Sequence, residues 1–204
     1  MRYQSSRALG AMISHSDIAG LILAGGRGQR FGNLDKGWLR YNNRPLIRYA
    51  MDAISECDTH LISANRSIHD YQELDALVVK DKRSDFIGPL SGIESAMNAS
   101  SAEWFYVVSV DVVGLSADWL DHLIEKQQQT KALWVGTHIH DRLQPLVGLW
   151  SRQLLPMISE YLDQGERRVM EFVAPWQDSY ATIPSDQLVI NVNTPEVLEQ
   201  LSSS

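Results

Sequence analysis

The chain has 204 residues, 44% of them hydrophobic, which suffices for one sizeable core and is thin for two. Its 18 basic against 25 acidic side chains give a formal charge of −7, which argues against a broad electrostatic grip on nucleic acid or an anionic membrane. Cys57 is the only cysteine, so an internal disulfide and a cysteine-rich zinc cage are excluded, and no run reaches the roughly 18 apolar residues of a helical membrane span. Cys57 itself reads as a small buried apolar group, and the expected location is a reducing cytoplasm.

Residues 1–17, "MRYQSSRALGAMISHSD", read as a frayed N-terminal extension, and 18–204 as a single domain. In chain order, "IAGLIL" (18–23), "HLISA" (60–64), "LVV" (77–79), "WFYVVSV" (104–110), "ALWVG" (132–136) and "LVGLW" (146–150) predict strands, several apolar on both faces. Between them the spacing predicts helices. Pro45 stands at the first helical position of "PLIRYAMDAISE" and Pro89 at that of "PLSGIESAMNAS". Ser116 is placed to cap "ADWLDHLIEKQQQ", and Thr194 to cap "PEVLEQL". Such alternation predicts an α/β protein, three layers deep, with a mostly parallel, doubly wound sheet covered on both faces. Ligands of such sheets bind outside the carboxyl ends of the strands, where strand order reverses.

The segment leaving the first strand, "LAGGRGQRFGNLDKGW" (23–38), therefore draws attention. A P-loop needs a lysine and a hydroxyl residue straight after its last glycine, but Gly37 is followed by Trp38. A dinucleotide fingerprint needs a glycine where Phe31 stands and a helix opening at once, whereas the next helix start is Pro45. What remains is a long loop of small residues. Ala24, Gly25 and Gly26 carry little bulk, so their backbone N–H groups can approach a phosphate or a base. Arg30 and Lys36 can reach in from the same segment to neutralise a polyphosphate. Asp111 stands at the carboxyl end of "WFYVVSV", where a turn or helix-cap residue is the ordinary reading; in a doubly wound order it would face the glycine loop across one crevice.

"LILAGGRGQRFGNLDKGWLRYNNRPLI" is similar to the Leu-Ala-Gly-Gly-x-x-x-Arg-Met/Phe-Gly-x-x-Lys signature of nucleotidyltransferases that share the fold of GT-A glycosyltransferases. Downstream, "ISANR", "VVKD", "GPLSGI", "VDVVG", "LQPLVGLW", "GERRVMEFV" and "NVNTPEVL" resemble, in order and spacing, the molybdenum cofactor guanylyltransferases, the MobA family. The first motif by itself indicates a nucleotidyltransferase; "GERRV" with "NVNTPE" is the more specific pair. The resemblance covers nearly all of the chain from residue 18.

The resemblance implies a nucleotide-diphospho-sugar transferase type of sheet and transfer of GMP from GTP to the terminal phosphate of molybdopterin, with Mg2+ as cofactor. Candidate partners would be molybdoenzyme maturation proteins. It implies that Leu23, Ala24 and Gly25 hold the guanine or ribose through backbone groups, Lys36 the phosphates and Asp111 the metal. Asn65 and Asp81 would add polar contacts to the nucleotide, although an Asx-turn would explain either residue as well. For the acceptor, Arg167 and Arg168 stand at a helix start suited to a phosphate, and Asn191 and Asn193 would alternate onto one face if the strand continues to them; a solvated helix end and a strand end leading into a capped helix would explain the two pairs as well. The pattern departs from the family after Asp111, where a polar residue and a proline are usual and Val112, Val113 and Gly114 stand here, so the shape of that loop is open. A relative using CTP or a sugar phosphate, and a GTP-binding chaperone or regulatory module without turnover, stay open as alternatives. "HIH" (138–140) lacks an obvious third metal ligand and reads as a structural pair, and Trp38, Trp134, Trp150 and Trp176 as core or pocket-wall residues.

Overall fold

The first strand, β1 (Ile18–Leu23), is buried at all six positions, as a strand covered on both faces must be. Successive side chains alternate between faces, so Ile18 and Ile22 enter one apolar cluster while Ala19, Leu21 and Leu23 enter another. The computed structural model describes residues 13–25, 34–83, 88–139, 142–184 and 187–192. After β1 come β2 (Arg40–Tyr41), β3 (Arg44–Pro45), α1 (Leu46–Ala53), β4 (Thr59–Ser63), α2 (Ile68–Gln72), β5 (Leu77–Val79), α3 (Pro89–Ala99), β6 (Trp104–Ser109) and β7 (Val112–Val113). The chain continues through α4 (Trp119–Thr130), β8 (Trp134–Ile139), β9 (Arg142–Ser151), α5 (Leu155–Asp163), α6 (Val169–Val173), β10 (Tyr180–Thr182) and β11 (Ile190–Asn191).

Seven of these strands form one sheet in the order β10-β8-β9-β6-β1-β4-β5. All neighbours run parallel except β9, which is antiparallel to β6 and to β8. The mostly parallel sheet is as expected, and the strand that breaks the pattern has a local cause. Ile139 pairs with Arg142, and a connection of two residues can only fold a strand back on its neighbour. "ALWVG" and "LVGLW" are thus parts of one hairpin, longer than the apolar runs that announced them.

Helices cover both faces. Ile47, Ala50 and Ala53 of α1, Tyr71 of α2, and Leu120, Leu123 and Ile124 of α4 pack with Ile18, Ile22, Tyr106 and Val108. Leu90, Ile93 and Met97 of α3, Ile158 and Leu162 of α5, and Phe172 of α6 pack on the opposite face with Leu21, Phe105 and Val107. Each fully buried side chain of this size contributes about 1.5–3 kcal/mol relative to exposure.

Helix starts differ by a few residues from the sequence expectation. Pro45 is extended, at φ −59° and ψ 141°, and caps α1 from outside, since β3 must first close its ladder with β2. The residue capping α4 is Asp118, and Ser116 takes part through its carbonyl, which accepts the Trp119 N–H at 3.2 Å. Pro89 opens α3 as expected. Thr194 lies outside the described residues, as do residues 1–12 of the expected extension. From Ile13 the chain packs on the α1/α4 face, and His15 Nε2 lies 2.8 Å from Asp121 Oδ1.

Candidate active site

The carboxyl ends of β1 and β6 lie side by side, with Leu23 opposite Ser109. β4 flanks β1 on the other edge, so this is the point where strand order reverses, and the ligand crevice of such sheets lies there. The chain leaving β1 is tied on both sides. Leu23 C=O accepts from Val110 N–H at 3.1 Å, and Ala24 N–H donates to Ser63 C=O at 2.9 Å. Ala24 N–H, expected to be available to a phosphate, is thus used within the fold. Gly25, the next residue, is half-buried, and a methyl group on it would stand 3.3 Å from Asn65 Nδ2.

Across the crevice, Lys36 Nζ donates to Asp111 Oδ2 at 2.6 Å, and the Ser109 hydroxyl donates to Asp111 Oδ1. Both members of the pair are largely withdrawn from water, with side-chain exposures of 21% and 14%. The geometry of Lys36 comes from a single helical turn, Lys36–Trp38, capped by Asp35. Asp35 Oδ1 accepts from Gly37 N–H at 3.1 Å and from the Tyr71 hydroxyl at 2.6 Å. Trp38 stacks on Tyr71 with ring centroids 5.3 Å apart. Gly37 has no room for a side chain, since a methyl group there would lie 2.2 Å from the Tyr71 hydroxyl.

Asn65 and Asp81, just past the ends of β4 and β5, bind each other twice. Asn65 Nδ2 donates to Asp81 Oδ2 at 2.9 Å, and Asp81 N–H donates to Asn65 Oδ1 at 3.0 Å. Burial pushes the Asp81 carboxyl above the usual carboxylate range, and hydrogen bonds from Asn65 and Ser63 oppose that rise. Each residue is thus tied to a partner 16 positions away in the sequence. Behind them Arg83 clamps Glu94 through two nitrogens, at 2.7 and 2.8 Å, and joins this loop to α3.

Val112 and Val113, where the family pattern has a polar residue and proline, form β7 and pair antiparallel with β11. Asn191 lies opposite Val112, and Val192 N–H donates to Asp111 C=O at 2.8 Å. Val113, Val192 and Leu46 close a small apolar cluster beneath the ladder. The departure therefore builds a strand, and that strand draws Asn191 to the neighbourhood of Asp111. Asn191 Oδ1 is buried and has no hydrogen-bond partner among the described residues.

Arg167 and Arg168 precede α6 and make contacts within their own segment. Arg167 donates to Leu162 C=O at 2.8 Å, and exposed Arg168 pairs with Glu171 at 2.6 Å. Gly26, Arg30 and Asn193 lie outside the described residues, as does His140. His138 stacks on Tyr180 with centroids 3.7 Å apart, in keeping with a structural role. Trp134 and Trp150 are buried in the core. Trp176 is partly buried against both clusters. Sequence reasoning missed Ser109 and Tyr71. Asp35 carried a signal, a capping residue just before a turn, whereas Tyr71 lies 36 residues away from it and carried none.

The fold is that of the nucleotide-diphospho-sugar transferases, and the family match makes the chain a nucleotidyltransferase. Residues 20–183 match the MobA-like NTP transferase domain, and the chain belongs to that family. A molybdenum cofactor guanylyltransferase from Shewanella sediminis is 34% identical over 92% of this chain and 96% of its own length. Another, from Vibrio atlanticus, is 31% identical over 94% and 99%. Among solved structures, molybdopterin-guanine dinucleotide biosynthesis protein A from Archaeoglobus fulgidus superposes with a TM-score of 0.70 at 18% identity, over 91% of this chain and 97% of that one. A putative glucose-1-phosphate thymidylyltransferase from Bacillus anthracis has the same TM-score at 14% identity, over 91% and 94%, which speaks to the fold alone. No helix among the described residues is long and apolar enough to cross a membrane.

Proposed function

We propose that this protein transfers GMP from GTP to the terminal phosphate of molybdopterin, giving molybdopterin guanine dinucleotide and pyrophosphate. The observation that carries the reading is the Lys36–Asp111 pair at the mouth of β1 and β6, in a chain whose relatives are molybdenum cofactor guanylyltransferases. In the reaction an oxygen of the acceptor phosphate forms a bond to the α-phosphorus of GTP, and the bond from that phosphorus to the β-phosphate oxygen breaks. The nucleophile is already an anion, so the site needs positioning and charge neutralisation more than a general base. Lys36 supplies a cation to the phosphates. Asn65 and Asp81, locked to one another, offer a rigid polar edge to the nucleoside beside Leu23, Ala24 and Gly25. Arg30 and Gly26 are assigned the remaining nucleotide contacts, and Arg167, Arg168, Asn191 and Asn193 the acceptor phosphate.

The residues fit a magnesium ion. Asp111, a largely buried carboxylate just past the end of β6, would hold the ion with phosphate oxygens and water completing its shell, as magnesium is commonly held at nucleotides. Lys36 Nζ donates to Asp111 Oδ2 at 2.6 Å, which keeps this carboxylate at the end of the crevice where the phosphates would lie. Such an ion would lower the cost of charge building up between the α-phosphate and the departing pyrophosphate. The test is pyrophosphate release from GTP, CTP and ATP, with molybdopterin or a sugar phosphate as acceptor, in EDTA and in magnesium. Turnover with GTP, molybdopterin and magnesium together is expected. Preference for CTP, turnover with sugar phosphates only, or GTP binding without release would each reject the proposal. The expected cytoplasmic location and molybdoenzyme maturation partners belong to the same reading.

A further inference from the structure

We infer that Tyr71 is a positioning residue for Lys36, acting through Asp35; the inference rests on the nucleotide role proposed for Lys36. A core position facing apolar neighbours is filled equally well by phenylalanine, and Tyr71 is fully buried in the cluster that contains Ile47, Ala50 and Leu74. What distinguishes it is where its hydroxyl ends. That hydroxyl donates at 2.6 Å to the same Asp35 oxygen that accepts the Gly37 N–H, so one carboxylate oxygen ties α2 to the turn that carries Lys36. The approach leaves no slack. Gly37 lies so close to the hydroxyl that a methyl group would overlap it, and Trp38, the next residue, stacks on the tyrosine ring. Lys36 is flanked on both sides by residues held against Tyr71, while its own ammonium group reaches Asp111. A lysine has four side-chain torsions, and fixing the backbone at its base removes much of the search its ammonium must make to meet a phosphate. Burial raises the Tyr71 hydroxyl far above its ordinary range, so it remains a proton donor to Asp35 at all working pH values.

The experiment is a double-mutant cycle in the full chain with Tyr71→Phe, Lys36→Ala and the combination. Affinity for GTP with magnesium is read by calorimetry, turnover by pyrophosphate release, and folding by thermal melting. Tyr71→Phe is expected to weaken GTP binding and turnover by about tenfold, and to change either by less than about twofold once Lys36 is alanine. A loss of equal size in both backgrounds would mean that the hydroxyl serves the core alone and would overturn the inference, as would an unchanged Tyr71→Phe enzyme. If Lys36→Ala itself left affinity and turnover unchanged, the role proposed for Lys36 and this inference would fall together. Should Tyr71→Phe not fold, Asp35→Ala carries the same cycle with the tyrosine kept in place, and additivity with Lys36→Ala would again overturn it.

Discussion

Lys36 and Asp111 are separated by 75 residues in sequence and by 2.6 Å between Nζ and Oδ2 in space. The pair exists because β6 enters the sheet directly beside β1, and because the Asp35-capped turn directs Lys36 back across the crevice.

Asp111→Ala is accordingly expected to lower GMP transfer by at least about a hundredfold while leaving the fold intact, and Lys36→Ala to lower both turnover and GTP affinity. Pyrophosphate release, nucleotide titration and a far-ultraviolet melt of each variant check this. Near-normal turnover in purified Asp111→Ala would remove it from the mechanism.

Glu94 is 6% exposed and held by Arg83 and the Ser159 hydroxyl. Arg83 keeps Asp163 and the Ser159 carbonyl when Glu94 is removed, so Glu94→Ala is expected to cost about 1–3 kcal/mol. Asp163, the exposed third member, is worth at most about 1 kcal/mol. The Arg83 guanidinium, with the Ser159 hydroxyl, holds the Glu94 carboxyl below its usual range. Its stabilisation is therefore complete above the ordinary glutamate pKa and is lost as the pH falls from about 4 through the lower folded value. Urea midpoints measured from pH 6 to 3 should show a flatter acid limb in Glu94→Gln than in the parent; parallel limbs would contradict the assignment.

Gly114 has φ +93°, and a methyl group on it would lie 2.1 Å from the carbonyl oxygen of Leu188. The obstructing atoms are backbone of Leu188 and Val189, so the segment leading into β11 must shift to admit it. Gly114→Ala should cost about 1–3 kcal/mol. It should also depress turnover, since the ladder of β7 and β11 carries Asp111 C=O and Asn191. Denaturant midpoints and kcat measured side by side test both parts.

Cys57 is buried, and burial pushes its thiol up to about 12. The native protein at pH 8 should resist thiol reagents and become labelled only with global unfolding, because the reactive species is the thiolate. Rapid labelling without denaturant would show that this end of α1 opens readily.

The sequence by itself determined the class of fold, because apolar runs of strand length alternating with helical periods and prolines can bury their surface only as a sheet covered on both faces. It also located the crevice, since "LAGG" and Asp111 both follow strand ends, and it identified Cys57 as a buried apolar group. Only the tertiary structure decided which groups meet. Asn65 and Asp81 bind each other because β4 and β5 end in register, which no local pattern announces. β9 runs against its neighbours because two residues cannot cross a sheet. Val112 and Val113, ambiguous as a loop, become a strand because β11 returns to supply their hydrogen bonds. Tyr71 carries no mark in the sequence at all. Its part depends on a hydroxyl reaching a carboxylate 36 positions earlier, and packing rather than periodicity brings them together.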